Sequence, residues 1–312
     1  MNFQSFEEKF LKVDVEEYPN CINKTPLVSI IVLAYQHADF IGQCLDGILE
    51  QKTEFSYEII IGEDGSTDGT LQIVKQYANN HPEKIRLFLH NPQNKIQVLG
   101  ETTGNFNAAF CFFKSRGKYI AFCEGDDFWT DEYKLQKQVD FLEAKPNFIL
   151  SFHSYENRYE KTAPKDNKYL QPKNDISSND LNLLKEHPLL LTTCFRNELK
   201  QIPRELMEVL NLDTFLISIL GEHGKAHYQK EIKPAISRKH SGGIWSSKMR
   251  IKQLAIKLNT LRKLEVYYKN QNQPAFRHFR KTRKYQAKML IFKALKQTNK
   301  EALVFGLKIY FS

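Results

Sequence analysis

Three carboxylates stand within four positions of the stretch AFCEGDDFW, directly behind a hydrophobic run. When ionised, Glu124, Asp126 and Asp127 repel one another, so a folded chain must solvate them, protonate them or pair them with a cation. In an extended backbone Glu124 and Asp126 point the same way, while Asp127 is free to turn back into the protein. Oxygen donors at a strand end suit Mg²⁺ or Mn²⁺ that also holds a diphosphate. The alternative is a helix start, with Asp126 or Asp127 as its cap.

A second acidic cluster lies in the stretch GEDGSTDGT. Its glycines fit a tight turn and Asp68 can cap the following helix, which leaves Glu63 and Asp64 without a structural role. A carboxylate at a strand end can accept a hydrogen bond from the N–H of a pyrimidine base or from a ribose hydroxyl. Tyr35, at the end of another predicted strand, can stack on the base. This cluster therefore indicates a nucleotide ligand.

Strands and helices alternate over the first half of the chain. A short β-branched apolar run predicts a buried strand in PLVSIIVLAYQ, and YEIIIG, IRLFLH and KYIAFC are further predicted strands. Apolar residues at helical spacing predict helices between them. This order predicts a mostly parallel central sheet flanked by helices, an α/β fold. Ligands of such sheets bind beyond the carboxyl ends of the strands. Polar clusters follow three of the predicted strands, at residues 34–36, 63–66 and 124–127, so we expect them to form one site.

The second half is less regular. Residues 155–187 are polar and rich in Asn and Lys, which predicts a long loop or a flexible insertion. PLLLTTCFRN has strand character, NLDTFLISILGEHGK predicts a helix, and EIKPAISRKHSGGIW predicts a last strand and a glycine turn. From Lys248 onward, helical spacing and basic residues dominate.

Length and composition exclude several classes of protein. With 312 residues and 41% hydrophobic content, the chain can bury a core as one large domain or two ordinary ones. It has no run near the roughly 18 apolar residues of a membrane-spanning helix, and its start lacks a secretory signal. We therefore expect a cytoplasmic location, or peripheral attachment at the inner face of the membrane. The turn AYQHADF lacks G-x-G-x-x-G, which argues against a Rossmann oxidoreductase.

The motifs resemble a known family. VSIIVLAYQHADFIGQCLDGILEQ, YEIIIGEDGSTDGT and GKYIAFCEGDDFWTDEYKLQKQVDFLE together resemble the family 2 glycosyltransferases, which share the GT-A nucleotide-diphospho-sugar transferase fold. The resemblance covers residues 26–150, and more weakly 188–247. It implies that Ala34, Tyr35 and Asp64 line the nucleoside pocket, together with Glu63.

The same resemblance places EGD where the family has its metal-binding D-x-D. Asp126 is then the acid that touches the metal, with Glu124 and Asp127 beside the substrate. Glu63, Gln36 and Glu124 depart from the commoner Asp, Asn and Asp, but each keeps the charge or the amide.

The second half should supply the remaining catalytic groups. The family uses an Asp or Glu near the start of a helix as the base, and Asp213 stands at that place, with Glu208 and Glu222 as rivals. The alternative role for Asp213 is a helix cap. ISRKHSGGIW resembles the family's closing segment, in which Arg238 would neutralise the leaving diphosphate and His240 would complete the metal shell or contact phosphate.

The resemblance implies an inverting, metal-dependent glycosyltransferase. Mn²⁺ or Mg²⁺ and Arg238 would stabilise the departing nucleoside diphosphate while Asp213 deprotonates the acceptor hydroxyl. One base and one direct attack imply inversion at the anomeric carbon. The expected donor is a UDP-sugar, and the expected acceptor is a glycan or lipid-linked glycan of bacterial surface polysaccharide or glycolipid synthesis.

The predicted organisation has three parts. Residues 1–25 form a polar lead-in with one short helical segment, and residues 26–247 form the GT-A domain. Within that domain, residues 26–150 bind the nucleotide sugar and residues 151–247 bind the acceptor. Residues 248–312 form a basic helical extension.

The extension carries 17 Lys and Arg against two Glu, a net charge of +15, in a chain whose net charge is +9. Such asymmetry points to an anionic partner, either a membrane surface or a nucleic acid. Basic residues interleaved with apolar ones favour a helix lying on anionic lipid; helices packed on the catalytic domain are the alternative. The competing function is a nucleic-acid-binding protein with a non-catalytic body. The acidic clusters at the strand ends would repel the phosphates of a nucleic acid, so no nucleic acid is expected as a partner.

Overall fold

A mixed eight-stranded sheet forms the centre of the computed structural model, which describes residues 1–22, 25–160, 171–199, 201–240 and 250–311. The strands are β1 (Glu16–Glu17), β2 (Val28–Ala34), β3 (Tyr57–Glu63), β4 (Ile85–Leu89), β5 (Ile96–Val98), β6 (Glu101–Thr103), β7 (Tyr119–Phe122), β8 (Phe148–Phe152), β9 (Tyr155–Tyr159), β10 (Cys194–Arg196), β11 (Lys225–Tyr228) and β12 (Ala235–Lys239). The helices are α1 (Phe3–Phe10), α2 (Ile41–Leu49), α3 (Thr70–Asn80), α4 (Asn105–Lys114), α5 (Lys134–Ala144), α6 (Ser178–Asn182), α7 (Leu212–Leu220), α8 (Arg250–Tyr268), α9 (Gln273–Lys296) and α10 (Lys300–Phe311). Short 3-10 turns cover Pro92–Asn94, Leu190–Thr192 and Arg204–Glu208.

The sheet has the order β1-β4-β3-β2-β7-β10-β8-β11. Strands β4, β3, β2 and β7 run parallel, as predicted from the alternation of strands and helices. β1 pairs antiparallel with β4, and β10 runs antiparallel between β7 and β8. The mostly parallel α/β sheet predicted from the sequence is therefore confirmed, with β10 as an inserted antiparallel strand.

Both faces of the sheet are covered, which explains why its strands are apolar throughout. Ile30 and Val32 of β2 pack in one hydrophobic cluster with helices α2 and α5. Ile31, between them, packs in the cluster on the other face, with α4 and α7. Successive strand residues point to opposite faces, so a strand buried on both sides needs a continuous apolar run rather than an alternating one.

The N-terminal lead-in is part of this structure. Its predicted helix is α1, where Phe6 is fully buried and its ring centroid lies 5.2 Å from that of Phe106 on α4. The lead-in then extends the sheet through β1. The sequence does not indicate this packing, because the segment is polar overall and only a few buried aromatic rings attach it.

The stretch 155–187 was predicted as a loop, and this is wrong for much of the described part. Tyr155–Tyr159 form β9, which pairs in parallel with β12, and Ser178–Asn182 form α6. Residues 161–170 of this stretch lie outside the described residues, as does the predicted glycine turn at 241–243. A polar strand such as β9 has no apolar period to reveal it; its pairing partner lies about 80 residues later in the sequence.

The basic extension folds as helices that pack on the preceding part of the chain. Tyr268 of α8 is fully buried, and its hydroxyl accepts a hydrogen bond from Asn182 Nδ2 (2.8 Å) and lies 3.0 Å from Ser218 Oγ. The Phe279 ring on α9 stacks on Tyr268 with centroids 5.5 Å apart. Across the parts of the chain that the structure describes, every helix is too short or too polar to traverse a lipid bilayer.

Candidate active site

The carboxyl ends of three neighbouring strands meet at one edge of the sheet. The backbone N–H of Asp64, after β3, donates to the carbonyl of Ala34 at the end of β2 (3.0 Å). The N–H of Gly125, after β7, donates to the carbonyl of Leu33 in β2 (3.1 Å). The three polar clusters identified in the sequence are therefore joined through β2 into one site, as the parallel order of the strands predicts.

Glu63 and Gln36 shape the turn after β3. The Glu63 carboxylate accepts hydrogen bonds from the backbone N–H groups of Gly65 (3.1 Å) and Ser66 (2.7 Å). Gln36 has a left-handed backbone, with φ of 56°. Its side-chain amide donates to Thr67 Oγ1 and accepts from the Thr67 N–H, both at 3.0 Å. Two of the three departures from the family pattern, Glu63 and Gln36, thus carry side chains that bond to this turn.

Asp64 is buried beside Lys95, and Tyr35 is exposed next to both. Lys95 Nζ lies 3.6 Å from Asp64 Oδ2 and 3.5 Å from the centroid of the Tyr35 ring. Burial raises the pKa of Asp64 to about 6, although the Lys95 charge opposes that rise. Tyr35 keeps 42% of its surface exposed, and Ala34 is fully buried in β2. The structure therefore brings together the residues predicted for the nucleoside pocket.

Glu124, Asp126 and Asp127 form an acidic cluster after β7. One ligand atom from each lies within 4.8 Å of the others. Glu124 is exposed, Asp126 is half-buried and Asp127 is buried. Neither Asp126 nor Asp127 caps the next helix, because α5 begins at Lys134 with Tyr133 as its cap residue. The helix-start alternative is therefore wrong.

The strand β12 binds this cluster from the second half of the chain. Asp127 turns into the protein, where its Oδ1 accepts a hydrogen bond from the backbone N–H of Arg238 (2.7 Å). His240 Nε2 lies 3.1 Å from Asp126 Oδ2. The Arg238 guanidinium donates to the carbonyl of Asp126 (2.6 Å) and lies over the ring of Phe128, 4.6 Å from its centroid. Arg238 and His240 thus lie beside the acids, as predicted.

The electrostatics of the cluster favour a cation. Burial, followed by the charges of Asp126 and Glu124, raises the pKa of Asp127 well above its usual range. The pKa of Glu124 is raised by the protein atoms around it and then by the charges of Asp126 and Asp213, although its side chain remains open to water. Burial also acts to raise the pKa of Asp126, but the His240 hydrogen bond and the His37 charge hold it below its ordinary value. One acid that stays ionised beside two that resist ionisation is the pattern that a bound divalent cation relieves.

Asp213 lies in the first turn of α7, on the side of the acidic cluster. Its charge is close enough to raise the pKa of Glu124. The cap residue of α7 is Asn211, so Asp213 does not serve as the cap. Its rivals have other partners: Glu208 pairs with Lys263 and Arg204, and Glu222 accepts from the Tyr267 hydroxyl (3.3 Å). Among the three predicted candidates, Asp213 is the one whose charge acts on the acidic cluster.

His37 is a site residue that sequence reasoning missed. A Cβ atom on Gly125 would lie 2.6 Å from His37 Nδ1, so the imidazole packs directly on the backbone between Glu124 and Asp126. Its Nδ1 is buried without a hydrogen-bond partner among the described residues. The signal that could have found it is its position two residues after Tyr35, at the same strand end.

The sequence profile described as Glycosyl transferase family 2 matches residues 29–199, more than half of the chain. The chain belongs to this family. The matched region holds Tyr35, Glu63, Asp64 and the acidic cluster, whereas Asp213, Arg238 and His240 lie beyond it.

Relatives of this family 2 glycosyltransferase include proteins of two bacteria. An uncharacterized protein of Mycobacterium tuberculosis is 34% identical over 224 residues, which cover 70% of this chain and 61% of that protein. The putative teichuronic acid biosynthesis glycosyltransferase TuaG of Bacillus subtilis is 31% identical over 159 residues, which cover 51% of this chain and 58% of TuaG. The aligned region thus spans about three-fifths of the length of these relatives.

Solved structures confirm the GT-A fold. TarS 1–349 of S. aureus in complex with UDP-GlcNAc has a TM-score of 0.56 at 14% identity, over 91% of this chain and 89% of that one. The mannosyltransferase PcManGT from Pyrobaculum calidifontis, in complex with GDP-Man and Mn²⁺, has a TM-score of 0.50 at 17% identity, over 98% and 91%. At such identities the likeness concerns the fold alone.

Proposed function

We propose that this glycosyltransferase moves a sugar from a UDP-sugar to an acceptor hydroxyl, with inversion of the anomeric carbon. The observation that carries the proposal is the acidic cluster of Glu124, Asp126 and Asp127 at the strand ends, with the charge of Asp213 acting on it from the second half. The UDP-GlcNAc complex of TarS supports a UDP-linked donor. The name of TuaG supports an acceptor in surface polysaccharide or glycolipid synthesis, namely a glycan or lipid-linked glycan.

The donor set around Asp126 fits Mn²⁺ or Mg²⁺. Asp126 and Glu124 offer carboxylate oxygens and His240 offers an imidazole nitrogen, a combination that Mn²⁺ accepts readily and Mg²⁺ accepts through its oxygens. When bound, the ion supplies positive charge against the leaving diphosphate. PcManGT, which was solved with Mn²⁺, supports this assignment.

The protein's own groups have separate roles in this proposal. Tyr35 stacks on the base and Asp64 accepts its N–H, which fixes the donor. Asp213 takes the proton of the acceptor hydroxyl as its oxygen bonds to the anomeric carbon and the bond from that carbon to the diphosphate oxygen breaks. Arg238 adds positive charge beside the leaving group. A single displacement of this kind inverts the anomeric carbon.

Calorimetric titration with UDP tests the donor site. Binding should require Mn²⁺, be lost when the metal is chelated, and be lost in Asp126→Asn, because the diphosphate then has no cation to bind. Asp39→Asn, which alters an exposed acid near the same strand end, is the matched control and should bind UDP normally. Metal-dependent UDP binding that persists in Asp126→Asn would remove Asp126 from the metal site.

Asp213→Asn separates binding from chemistry. This variant should bind UDP as the wild type does, yet transfer sugar about 10²- to 10⁴-fold more slowly, the usual contribution of a general base. A screen of UDP-sugars with the wild type supplies the donor for this assay. Normal turnover in Asp213→Asn would transfer the role of base to another residue.

We also propose that the C-terminal helices attach the enzyme to an anionic membrane surface. Arg277, Lys281, Lys284 and Lys288 recur along one side of α9 and line a groove of about 560 Å³ that also includes Tyr310 of α10. Exposed apolar side chains accompany them at Met289, Phe292, Leu295, Val304 and Phe311. Basic residues near anionic lipid contribute about 1 kcal/mol each, and apolar side chains add insertion into the interface.

Vesicle sedimentation tests this attachment. Vesicles of phosphatidylglycerol and phosphatidylcholine should bind the enzyme at low salt, whereas pure phosphatidylcholine vesicles should not. Lys281→Glu/Lys284→Glu should reduce binding, with Lys118→Glu/Lys145→Glu as the control of equal charge change elsewhere. Failure of the anionic vesicles to bind, or tighter binding to duplex DNA or RNA at the same salt, would refute the membrane proposal.

A further inference from the structure

A lysine ammonium occupies the predicted nucleoside pocket. Lys95 Nζ lies between the Asp64 carboxylate and the face of the Tyr35 ring, at 3.6 Å and 3.5 Å respectively. Its side chain is only 11% exposed and that of Asp64 only 7%. A base that hydrogen-bonds to Asp64 comes within about 3 Å of the carboxylate. The hydrogen-bonding edge of such a base must therefore contact the Lys95 ammonium.

The segment that carries Lys95 is held from two sides. Asn94, directly before it, is buried; its Oδ1 accepts from the N–H groups of Lys12 (2.9 Å) and Val13 (3.0 Å), and its Nδ2 donates to the Val13 carbonyl (2.7 Å). Pro92 packs against Gly65, where an added Cβ would lie 2.7 Å from Pro92 Cγ. The position of Lys95 is thus fixed by the N-terminal lead-in and by the turn after β3.

We propose that Lys95 selects uracil as the base of the donor nucleotide. Uracil presents an N–H beside a carbonyl at position 4, so Asp64 accepts from the N–H while Lys95 donates to the carbonyl oxygen. Cytosine presents an amino group at the same position. This amino group is a donor facing the three donors of an ammonium, and the ring nitrogen beside it is an acceptor facing Asp64. The inference rests on the proposed function and deepens it, because it names the group that discriminates between pyrimidine nucleotides.

A purely structural role for Lys95 predicts a different effect of its removal on nucleotide affinity. If the ammonium serves only to neutralise Asp64, its removal weakens every nucleotide by a similar factor, because the pocket as a whole is altered. If it pairs with the base, its removal weakens UDP selectively. The ratio of the affinities for UDP and CDP therefore separates the two roles, which a single affinity does not.

The experiment compares UDP, CDP and GDP by calorimetry with Mn²⁺ at pH 8, where Asp64 is ionised. The proteins are the wild type, Lys95→Met, Lys95→Arg and the control Lys118→Met, which removes an exposed charge paired with Glu143. Lys95→Met should weaken UDP by roughly 10- to 100-fold, the loss of a hydrogen bond to a charged donor. CDP should change by less than about threefold, and Lys95→Arg should retain most of the preference because it keeps a donor.

Each outcome decides between the inference and the proposed function. An unchanged ratio of UDP to CDP affinity in Lys95→Met overturns the role of Lys95 while leaving the UDP donor site standing. A wild type that binds GDP but not UDP, or none of the three nucleotides, overturns the proposed UDP donor itself and the inference with it. Loss of folding in Lys95→Met is detected by circular dichroism, and Lys95→Arg then provides the same comparison.

Discussion

Replacing Asp64 by asparagine should stabilise the folded protein at neutral pH while destroying nucleotide binding. Burial raises the pKa of Asp64 from an ordinary 3.8 to about 6, so the folded state holds an ionised carboxylate there at a cost. Asparagine has nearly the same shape and carries no charge. The substitution therefore removes that cost, together with the acceptor that the base requires.

The size and sign of this effect follow from the two pKa values. A folded pKa above the unfolded one means that the folded state binds the extra proton, so stability falls as pH rises from about 4 through about 6. The cost of ionising Asp64 is about 3 kcal/mol at pH 8 and about 1 kcal/mol at pH 4.5. The gain in stability in Asp64→Asn should therefore be about 2 kcal/mol larger at pH 8 than at pH 4.5.

Urea unfolding at the two pH values, without nucleotide, measures this difference. Comparing one variant at two pH values cancels any packing change that asparagine introduces, because that change is present at both. Asp39→Asn is the control, because it removes an exposed carboxylate near the same strand end. If Asp64→Asn lowers stability equally at pH 4.5 and pH 8, the carboxylate stabilises the fold and the argument from burial is wrong.

Two further substitutions test contacts of β3, one close to the site and one at the opposite end of the strand. Gly62→Ala places a Cβ 1.7 Å from Asn107 Oδ1 and 2.7 Å from Cys111 Sγ, so it should cost about 2 kcal/mol or more in urea unfolding, and an unchanged midpoint would contradict the tight contact of β3 with α4. Glu58→Gln removes a fully buried carboxylate that accepts from Ser29 and Arg116 (both 2.7 Å), so thermal unfolding should show a loss of about 3 kcal/mol, and a loss under 1 kcal/mol would mean that the two groups find water instead.

Local patterns in the sequence predict the strands and helices of residues 26–150. Strands β2, β3 and β7 are short, largely apolar runs, and their carboxyl ends carry the polar clusters. Both the strands and the sheet edge that they share therefore follow from local sequence. The direction of β10 does not follow in this way. Its apolar run indicates a strand, but its antiparallel position between β7 and β8 depends on contacts with residues far away in the sequence.

The site residues also differ in whether local sequence or distant contacts determine their places. Asp64 and Asp126 stand at strand ends, where their type alone suggests a function. Lys95 has no such signal, because its place depends on Asn94, which bonds to Lys12 across 82 residues of chain. His37 was passed over for a similar reason: its neighbour is Gly125 on another strand end. The sequence displays the acids of the site, together with Arg238 and His240, but not Lys95 and His37, whose places depend on residues far away in the chain.

The contact between β12 and the acidic cluster bears on how this enzyme can be recombined with its relatives. Phe128 and Ile236 exchange backbone hydrogen bonds (3.1 and 2.9 Å), and Arg238 bonds to Asp127. Strand β12, from the region proposed to bind the acceptor, is thus attached to the region proposed to bind the donor. A chimera joined at residue 150 would replace Arg238 and His240 together with the proposed acceptor region. A chimera that keeps residues 235–240 of this protein keeps the contacts of Arg238 and His240 with the acidic cluster. Its additional junctions therefore belong on either side of this short segment.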